Sequence, residues 1–400
     1  MTQSLPVQLC LLSGDLMPNV IGVLHRRATQ VLPVVTRESV PQLETFQRAL
    51  TAAGSRARLL DPVTVLPYDL RDCQQALRDA VEGVPRIEVN WTGGTKVMSY
   101  AARRLADDLR LPALYVDLAA REVLLDDLAR EASTSEMFDS RRLGLNVLVH
   151  LAAAGHTVEG ADGVAAFRKR CTPGRELVDA ATLIMDARPG ERSDLNRLAA
   201  AADQPYRPVR MGGDFLRVLV AASILQPAAL SGAFFLSPET RLHPFHLQSP
   251  QNQNAMFLRG TYLEVFLWSQ IKERSAVDDV AWHLVLNPGS RGRVAELDVA
   301  LCSDGRFLAL ECKSHVDLAE LSGVIEEQYA RTRRIGKALG RWVLYVHRHR
   351  ADYSARGADS IISSQEAKAA DCEGRILWHD DLRDLPVTVA AFLSEARPVH

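Results

Sequence analysis

The sequence predicts a mixed α/β protein: two α/β units joined by a helical connector. Three observations carry this. Residues 1–128 alternate short apolar runs with helix-period patterns, residues 129–225 are rich in Ala, Leu and Arg, and residues 295–313 spell a hairpin folded at Asp304-Gly305. A chain of 400 residues with 47% apolar and 24% charged content can bury a sizeable core and is long enough for two or three domains. Its net charge of −2 excludes a global attraction to polyanions, so any nucleic-acid binding has to come from a local patch. Cys10, Cys73, Cys171, Cys302, Cys312 and Cys372 form no Cys-x-x-Cys pair, which argues against a zinc knuckle and a disulfide framework. Met1 to Pro6 lacks the basic start and apolar run of a signal peptide. The longest apolar stretch, 218–236, is interrupted by Gln226-Pro227 and Ser231-Gly232 and reads as core segments. The expected setting is a reducing cytoplasm, with no membrane partner.

In the first unit, apolar runs at 7–12, 31–36, 56–63, 86–91 and 113–118 read as strands. Helical spacing through Leu43, Phe46, Ala49 and Leu50, and over 69–81 and 95–109, places helices between them. This is the order of a parallel sheet covered on both faces. Residues 129–225, punctuated by Gly155, Gly160, Pro173-Gly174 and Pro189-Gly190, read as a helical or winged-helix connector. The second unit, within 226–400, opens with a helix over 255–272 and a strand at 283–286. The hairpin follows, then a helix over 318–339, a strand at 341–347, another at 375–378 and a final helix.

The hairpin holds the chemistry. A two-residue type I′ turn at Asp304-Gly305 sets Ser303 against Arg306, Asp298 against Glu311 and Glu296 against Lys313. Strand alternation then puts all four charged side chains on one face, with opposed Cβ atoms about 5 Å apart. Two carboxylates that close repel unless a proton or cation lies between them, and a divalent metal suits the position. Glu264 lies in the apolar run Tyr262-Leu263-Glu264-Val265-Phe266, where a carboxylate needs a partner. Glu-x-Lys alone is a common surface ion pair; combined with Glu264, Asp298 and a following helix carrying Gln328, it points to a site. From Arg331 to Arg350 seven Arg and Lys residues occur without an acid, and Arg331, Arg334 and Lys337 are the expected nucleic-acid contacts. His347 and His349 could touch phosphate, while His243 and His246 are not assigned a metal role.

In the first unit, Asn90-Trp91-Thr92-Gly93-Gly94-Thr95-Lys96-Val97-Met98 follows a strand and opens a helix. Glycines let a backbone approach phosphate, and helix-start N–H groups favour anions. The string is neither a Walker A loop nor Gly-x-Gly-x-x-Gly. The loop Ser13-Gly14-Asp15-Leu16-Met17-Pro18-Asn19 can meet it at a switch point of the sheet.

With Glu264, Asp298, Glu311-Cys312-Lys313 and Gln328, residues 255–350 resemble the PD-(D/E)xK nuclease superfamily, although Glu296-Leu297-Asp298 stands where its nominal Pro-Asp would be. Asn-x-Thr-Gly-Gly-Thr-Lys-x-Met resembles the signature loop of CARF domains, the Rossmann-like sensors of CRISPR systems. Together the two ends resemble the CARF–nuclease fusions of type III CRISPR systems, with 1–128 as sensor, 129–225 as connector and 226–400 as nuclease. The resemblance implies Mg²⁺ or Mn²⁺ on Asp298, Glu311, the Cys312 carbonyl and Glu264, with Lys313 at the scissile phosphate. It also implies a homodimer that binds a cyclic oligoadenylate, expected to be cyclic tetra-adenylate, through Ser13, Gly14, Asp15, Pro18, Asn19, Asn90, Thr92, Gly93, Gly94, Thr95, Lys96 and Met98. Binding would switch on cleavage of single-stranded RNA or DNA, or nicking of duplex DNA. Two alternatives are a CARF regulator that binds nucleic acid without cutting it, and a sensor that degrades its own ligand.

Overall fold

The computed structural model describes residues 7–161, 163–187, 189–200, 209–210, 215–228, 233–240, 242, 250–287, 295–337, 340–354 and 357–395. The first sheet contains β1 (Val7–Leu11), β2 (Gln30–Val35), β3 (Arg58–Leu59), β4 (Val63–Thr64), β5 (Ile87–Asn90), β6 (Ala113–Asp117), β7 (Glu122–Asp127) and β8 (Ala132–Met137). Its order is β3-β2-β1-β5-β6-β7-β8, with β4 also on β2. The strands up to β6 run parallel; β7 and β8 add an antiparallel edge. Helices α1 (Met17–Arg26) and α2 (Gln42–Ala52) cover one face, and α3 (Leu70–Val81) and α4 (Lys96–Leu109) the other. The strand expected over 56–63 is two short bridges, since Pro62 has no N–H to give a ladder. The boundary expected at 128 falls inside the β7–β8 hairpin. Every residue of β8 is exposed, so it carries no apolar alternation to read.

Next come α5 (Val147–Ala153), β9 (Thr157–Val158), α6 (Val164–Arg170), α7 (Arg175–Met185), α8 (Pro189–Ala200), β10 (Val209–Arg210), α9 (Phe215–Ala221), β11 (Leu225–Pro227) and β12 (Ala233–Leu236). The sheet β10-β12-β11 gives this helical segment a small antiparallel wing. The second unit has α10 (Pro250–Met256), a π-helical turn at Phe257–Thr261, α11 (Tyr262–Arg274), β13 (Asp279–Asn287), β14 (Ala295–Ser303) and β15 (Arg306–Lys313). It closes with α12 (Leu321–Gly336), β16 (Gly340–Val346), α13 (Ala358–Asp371), β17 (Gly374–Trp378) and α14 (Leu385–Ser394). Its sheet runs β17-β16-β15-β14-β13-β9. Helices α7, α11 and α14 pack on one face, and α5, α6, α12 and α13 on the other. The connector is therefore shared: β9 pairs with β13, and α7 packs beside α11.

Two features bind the units. All seven residues of α5 are buried: Val149, Ala152 and Ala153 belong to the core of the first unit, and Val147, Leu148 and Leu151 to the core of the second. The hairpin turn forms as expected, with positive φ at Asp304 (54°) and Gly305 (72°) and Ser303 paired to Arg306. That turn docks on the sensor unit. Asp304 ion-pairs with Arg121 at 2.6 Å, Gly305 lies against Phe138 and Ile21, and Arg306 donates to the Ala119 carbonyl at 3.3 Å. Among the described residues no helix is long and apolar enough to cross a membrane.

Candidate active site

The predicted register holds from Ser303↔Arg306 to Val299↔Leu310 and the pairing stops there, one step short of Asp298 and Glu311. The Cys312 N–H donates to Asp298 Oδ2 at 2.7 Å, so a side chain takes the place of the ladder. On the other side of β14, the register of β13 also skips the step at His283 and Asp298, and His283 has φ 49°. A non-glycine residue in that region inside a buried strand marks local strain. The pleat slips here. Toward the turn, Val280, Trp282, Val299 and Leu301 face α11, while Ala281, Ala300 and Cys302 face α12. Beyond it, Leu284, Leu286 and Leu297 lie on the α12 face. The expectation that four charged side chains share one face is thus corrected: Glu296 turns toward α11, and Glu311 and Lys313 stay toward α12. Asp298 stands between them at the gap. The expected Glu296–Lys313 pair is replaced by Lys313–Glu311 at 2.7 Å and Glu296–His283 at 3.2 Å.

Glu264 comes up from α11 directly after the π-helical turn, a feature often found at functional sites. Its Oε2 is buried without a hydrogen-bond partner, 3.4 Å from His283 Nδ1. Burial, then Glu296 and Glu311, push the Glu264 carboxyl well above the usual range; burial, then Glu264 and Glu311, do the same to Asp298. Burial lowers His283 to about 4, so this imidazole is neutral at pH 7 and does not offset the acids. Burial also works to lower Lys313, but Glu311 and Asp298 outweigh it and hold the amine above its usual value. Three buried carboxylates with an unsatisfied oxygen are hard donors of the type that Mg²⁺ or Mn²⁺ takes. Among the described residues no three His, Cys, Asp or Glu side chains converge closely enough to hold an ion as they stand. The Cys312 side chain packs with the α11 cluster, away from Glu311, and Gln328 is buried on α12.

The basic block is mostly neutralised from distant parts of the chain. Arg331 donates to the Glu296 carbonyl at 2.8 Å and pairs with Glu311 at 3.2 Å and Glu327 at 2.6 Å, bridging β14 and β15 where their ladder has ended. Arg333 pairs with Glu373, Arg341 with Glu395 and Arg350 with Glu366. Lys337 lies at the seam, lining a small cavity with Asp15, His150 and Gly305. Of the three expected nucleic-acid contacts, only Arg334 is an exposed residue. His243 and His246 lie outside the described residues.

The ligand loops meet as expected, between the adjacent strands β1 and β5 where the sheet order reverses. Thr95 caps α4 by accepting from the Met98 N–H at 3.2 Å. Asn90 Oδ1 accepts from the Thr92 N–H (3.1 Å) and hydroxyl (2.7 Å), and Asp15 accepts from the Met17 N–H at 3.1 Å. Asn19 Nδ2 donates to the Leu11 carbonyl at 2.8 Å. A Cβ on Gly93 would lie 2.1 Å from that carbonyl oxygen. Asn19, Asn90, Gly93 and Met98 are buried and shape the loops; Ser13, Gly14, Asp15, Pro18, Thr92, Gly94, Thr95 and Lys96 retain exposure to a ligand.

No protein-family model matches the chain, and no curated protein matches it. Solved structures resemble it, among them these three. Can2 from Sulfobacillus thermosulfidooxidans, in complex with cyclic tetra-adenylate, is 20% identical with a TM-score of 0.67, over 97% of this chain and 99% of that one. Protein VC1899 from Vibrio cholerae is 15% identical with a TM-score of 0.71, over 99% and 100%. A type III CRISPR defence DNA nuclease activated by cyclic oligoadenylate is 19% identical with a TM-score of 0.54. It matches 86% of this chain, which spans 46% of its length. The chain shares the Can2 fold from end to end. The expected mixed α/β architecture is therefore present.

Within that fold, sequence reasoning missed two neighbours of the acids. His283 sits in an apolar run with no acid beside it in sequence, and Arg331 was assigned outward because its carboxylate partners lie up to 20 positions away.

Proposed function

We propose that the protein is a nuclease of type III CRISPR antiviral defence, dependent on Mg²⁺ or Mn²⁺ and switched on by a cyclic oligoadenylate, cyclic tetra-adenylate above others. The observation that carries this is the mutual electrostatic interaction of Glu264, Asp298, Glu311 and Lys313 where the β14–β15 ladder ends and the β13–β14 ladder skips a step. The ligand loops support it, as does the fold shared with cyclic tetra-adenylate-bound Can2 and with a cyclic-oligoadenylate-activated DNA nuclease. Glu264, Asp298, Glu311 and the Cys312 carbonyl would hold the ion. Bound there, the ion supplies Lewis-acid polarisation of a phosphate and eases ionisation of water. Asp298, fixed by the Cys312 N–H, and Glu311 would serve as ligands of that ion and not as phosphate contacts. Lys313, 2.7 Å from Glu311 and partly exposed, donates to a non-bridging oxygen as charge builds on it. Gln328 supports this edge from α12. In the sensor, the start of α4, Ser13 and Lys96 offer donors to phosphodiesters, and a two-fold ring is read by two copies of the chain working as a cytoplasmic homodimer.

The test incubates RNA and DNA, single-stranded and duplex, with Mn²⁺, with and without cyclic tetra-adenylate. Ligand-dependent cleavage is expected, with Glu311→Ala and Lys313→Ala each lowering kcat by about a hundredfold or more. Undiminished cleavage in either variant would remove the site assignment.

A further inference from the structure

Beside the acids lies a second constellation, on the α11 face of the same sheet edge. The His347 N–H donates to the Lys313 carbonyl at 2.8 Å, so the chain leaving β16 starts where the catalytic strand ends. The Tyr345 hydroxyl lies 3.3 Å from His347 Nδ1 and 3.2 Å from His379 Nδ1, joining the ends of β16 and β17. The His379 ring stands edge-on to both His347 and His349, each at 4.5 Å between centroids. Asp380 holds His349 through Nδ1. An open cleft of about 570 Å³ extends from this cluster, lined by Phe266, Arg274, His379 and Arg383 and by the acids Asp186 and Asp380. From β15 to β17 is two strand spacings, roughly 10 Å.

Of the expected basic face, Arg334 is left exposed while Arg331, Arg333, Arg341 and Arg350 are held in ion pairs and Lys337 lies at the seam, so a substrate strand needs further support. A single strand is held by aromatic faces that stack its bases and by donors to its phosphates. Imidazoles supply both, and Arg274 and Arg383 add positive charge. We propose that this cleft holds a single-stranded polynucleotide that reaches Lys313 around the strand ends, with His379 and Arg383 as positioning residues. The proposal rests on the nuclease reading for its substrate, and its test separates the two.

Full-length Glu311→Ala protein is titrated with fluorescent 12-nucleotide RNA and DNA in Mn²⁺ and cyclic tetra-adenylate, alone and combined with His379→Ala or Arg383→Glu. A loss of affinity of about tenfold is expected from His379→Ala, with partial rescue by His379→Phe, which keeps a stacking face. Arg383 is exposed, so its variant keeps the test valid if His379→Ala fails to fold. With Glu311 intact, KM should rise about tenfold while kcat changes less than about twofold. Unchanged binding and KM in the His379 and Arg383 variants overturn the cleft assignment, even if the protein cuts nucleic acid. Loss of binding only for duplex substrates overturns the single-strand assignment. A His379-dependent loss of single-strand binding supports the cleft even if no cleavage is found, in which case the nuclease reading alone falls.

Discussion

At Asp298 one ladder stops and another skips a step, and the residues around it separate what could be read from the chain from what could not. Glu311 and Lys313 were legible because two positions and a two-residue turn fix their placing. Arg331 was not, because the acids that hold it are brought together only by the fold. The same limit applies to His150, whose place in the sequence gives no sign that it is sealed between units. It is 3% exposed, lies 5.9 Å from the Phe307 ring, and its Nε2 has no partner. Burial lowers it from 6.5 to about 4. Above pH 6.5 the imidazole is neutral in both states; as pH falls, the unfolded chain takes up a proton that the folded protein refuses until about pH 4. Stability therefore declines by up to about 3 kcal/mol, of which about 2 kcal/mol is lost by pH 5. Urea titrations at pH 7 and pH 5 should show that decline in the parent and a decline smaller by about 2 kcal/mol in His150→Gln. Equal declines would show that His150 is not the group responsible.

At the level of elements, alternation and turn chemistry served well and edges did not. The hairpin, the parallel strands and the capped α4 follow from local pattern. β8 escaped because both its faces meet solvent, and α13 because only Ala358, Ile362 and Ala369 of its residues are buried. α5 could be read as helix but not as a wall common to two cores, since that needs both neighbours in place. Loop contact is another such fact. Gly93 lies against the Leu11 carbonyl at the end of β1 and against Asn19 of the other loop, and only a residue without Cβ fits there. Gly93→Ala should cost about 1–3 kcal/mol of stability and weaken cyclic tetra-adenylate binding by at least about tenfold. Calorimetric titration checks this, and binding at parent strength would mean that the loop contact does not shape the ligand site.

Across the whole molecule, the β14–β15 hairpin spans the distance between sensor and acids. Its turn is held by Arg121, Phe138 and Ile21, the last on the helix that begins at the Ser13–Asn19 loop, and its far ends carry Asp298 and Glu311. Asp304→Asn removes the ion pair to Arg121 and, since Asn tolerates the positive φ of this turn position, leaves both sites' residues in place. It should leave the Kd for cyclic tetra-adenylate within about twofold and lower ligand-stimulated cleavage about tenfold; full stimulation would show that activation travels by another route. The hairpin also sets a length. Two residues added to each arm would keep every side chain on its present side, yet would carry the acids roughly 7 Å farther from the sensor. Such a protein would retain a well-formed ligand pocket and a well-formed cutting edge, no longer measured to one another.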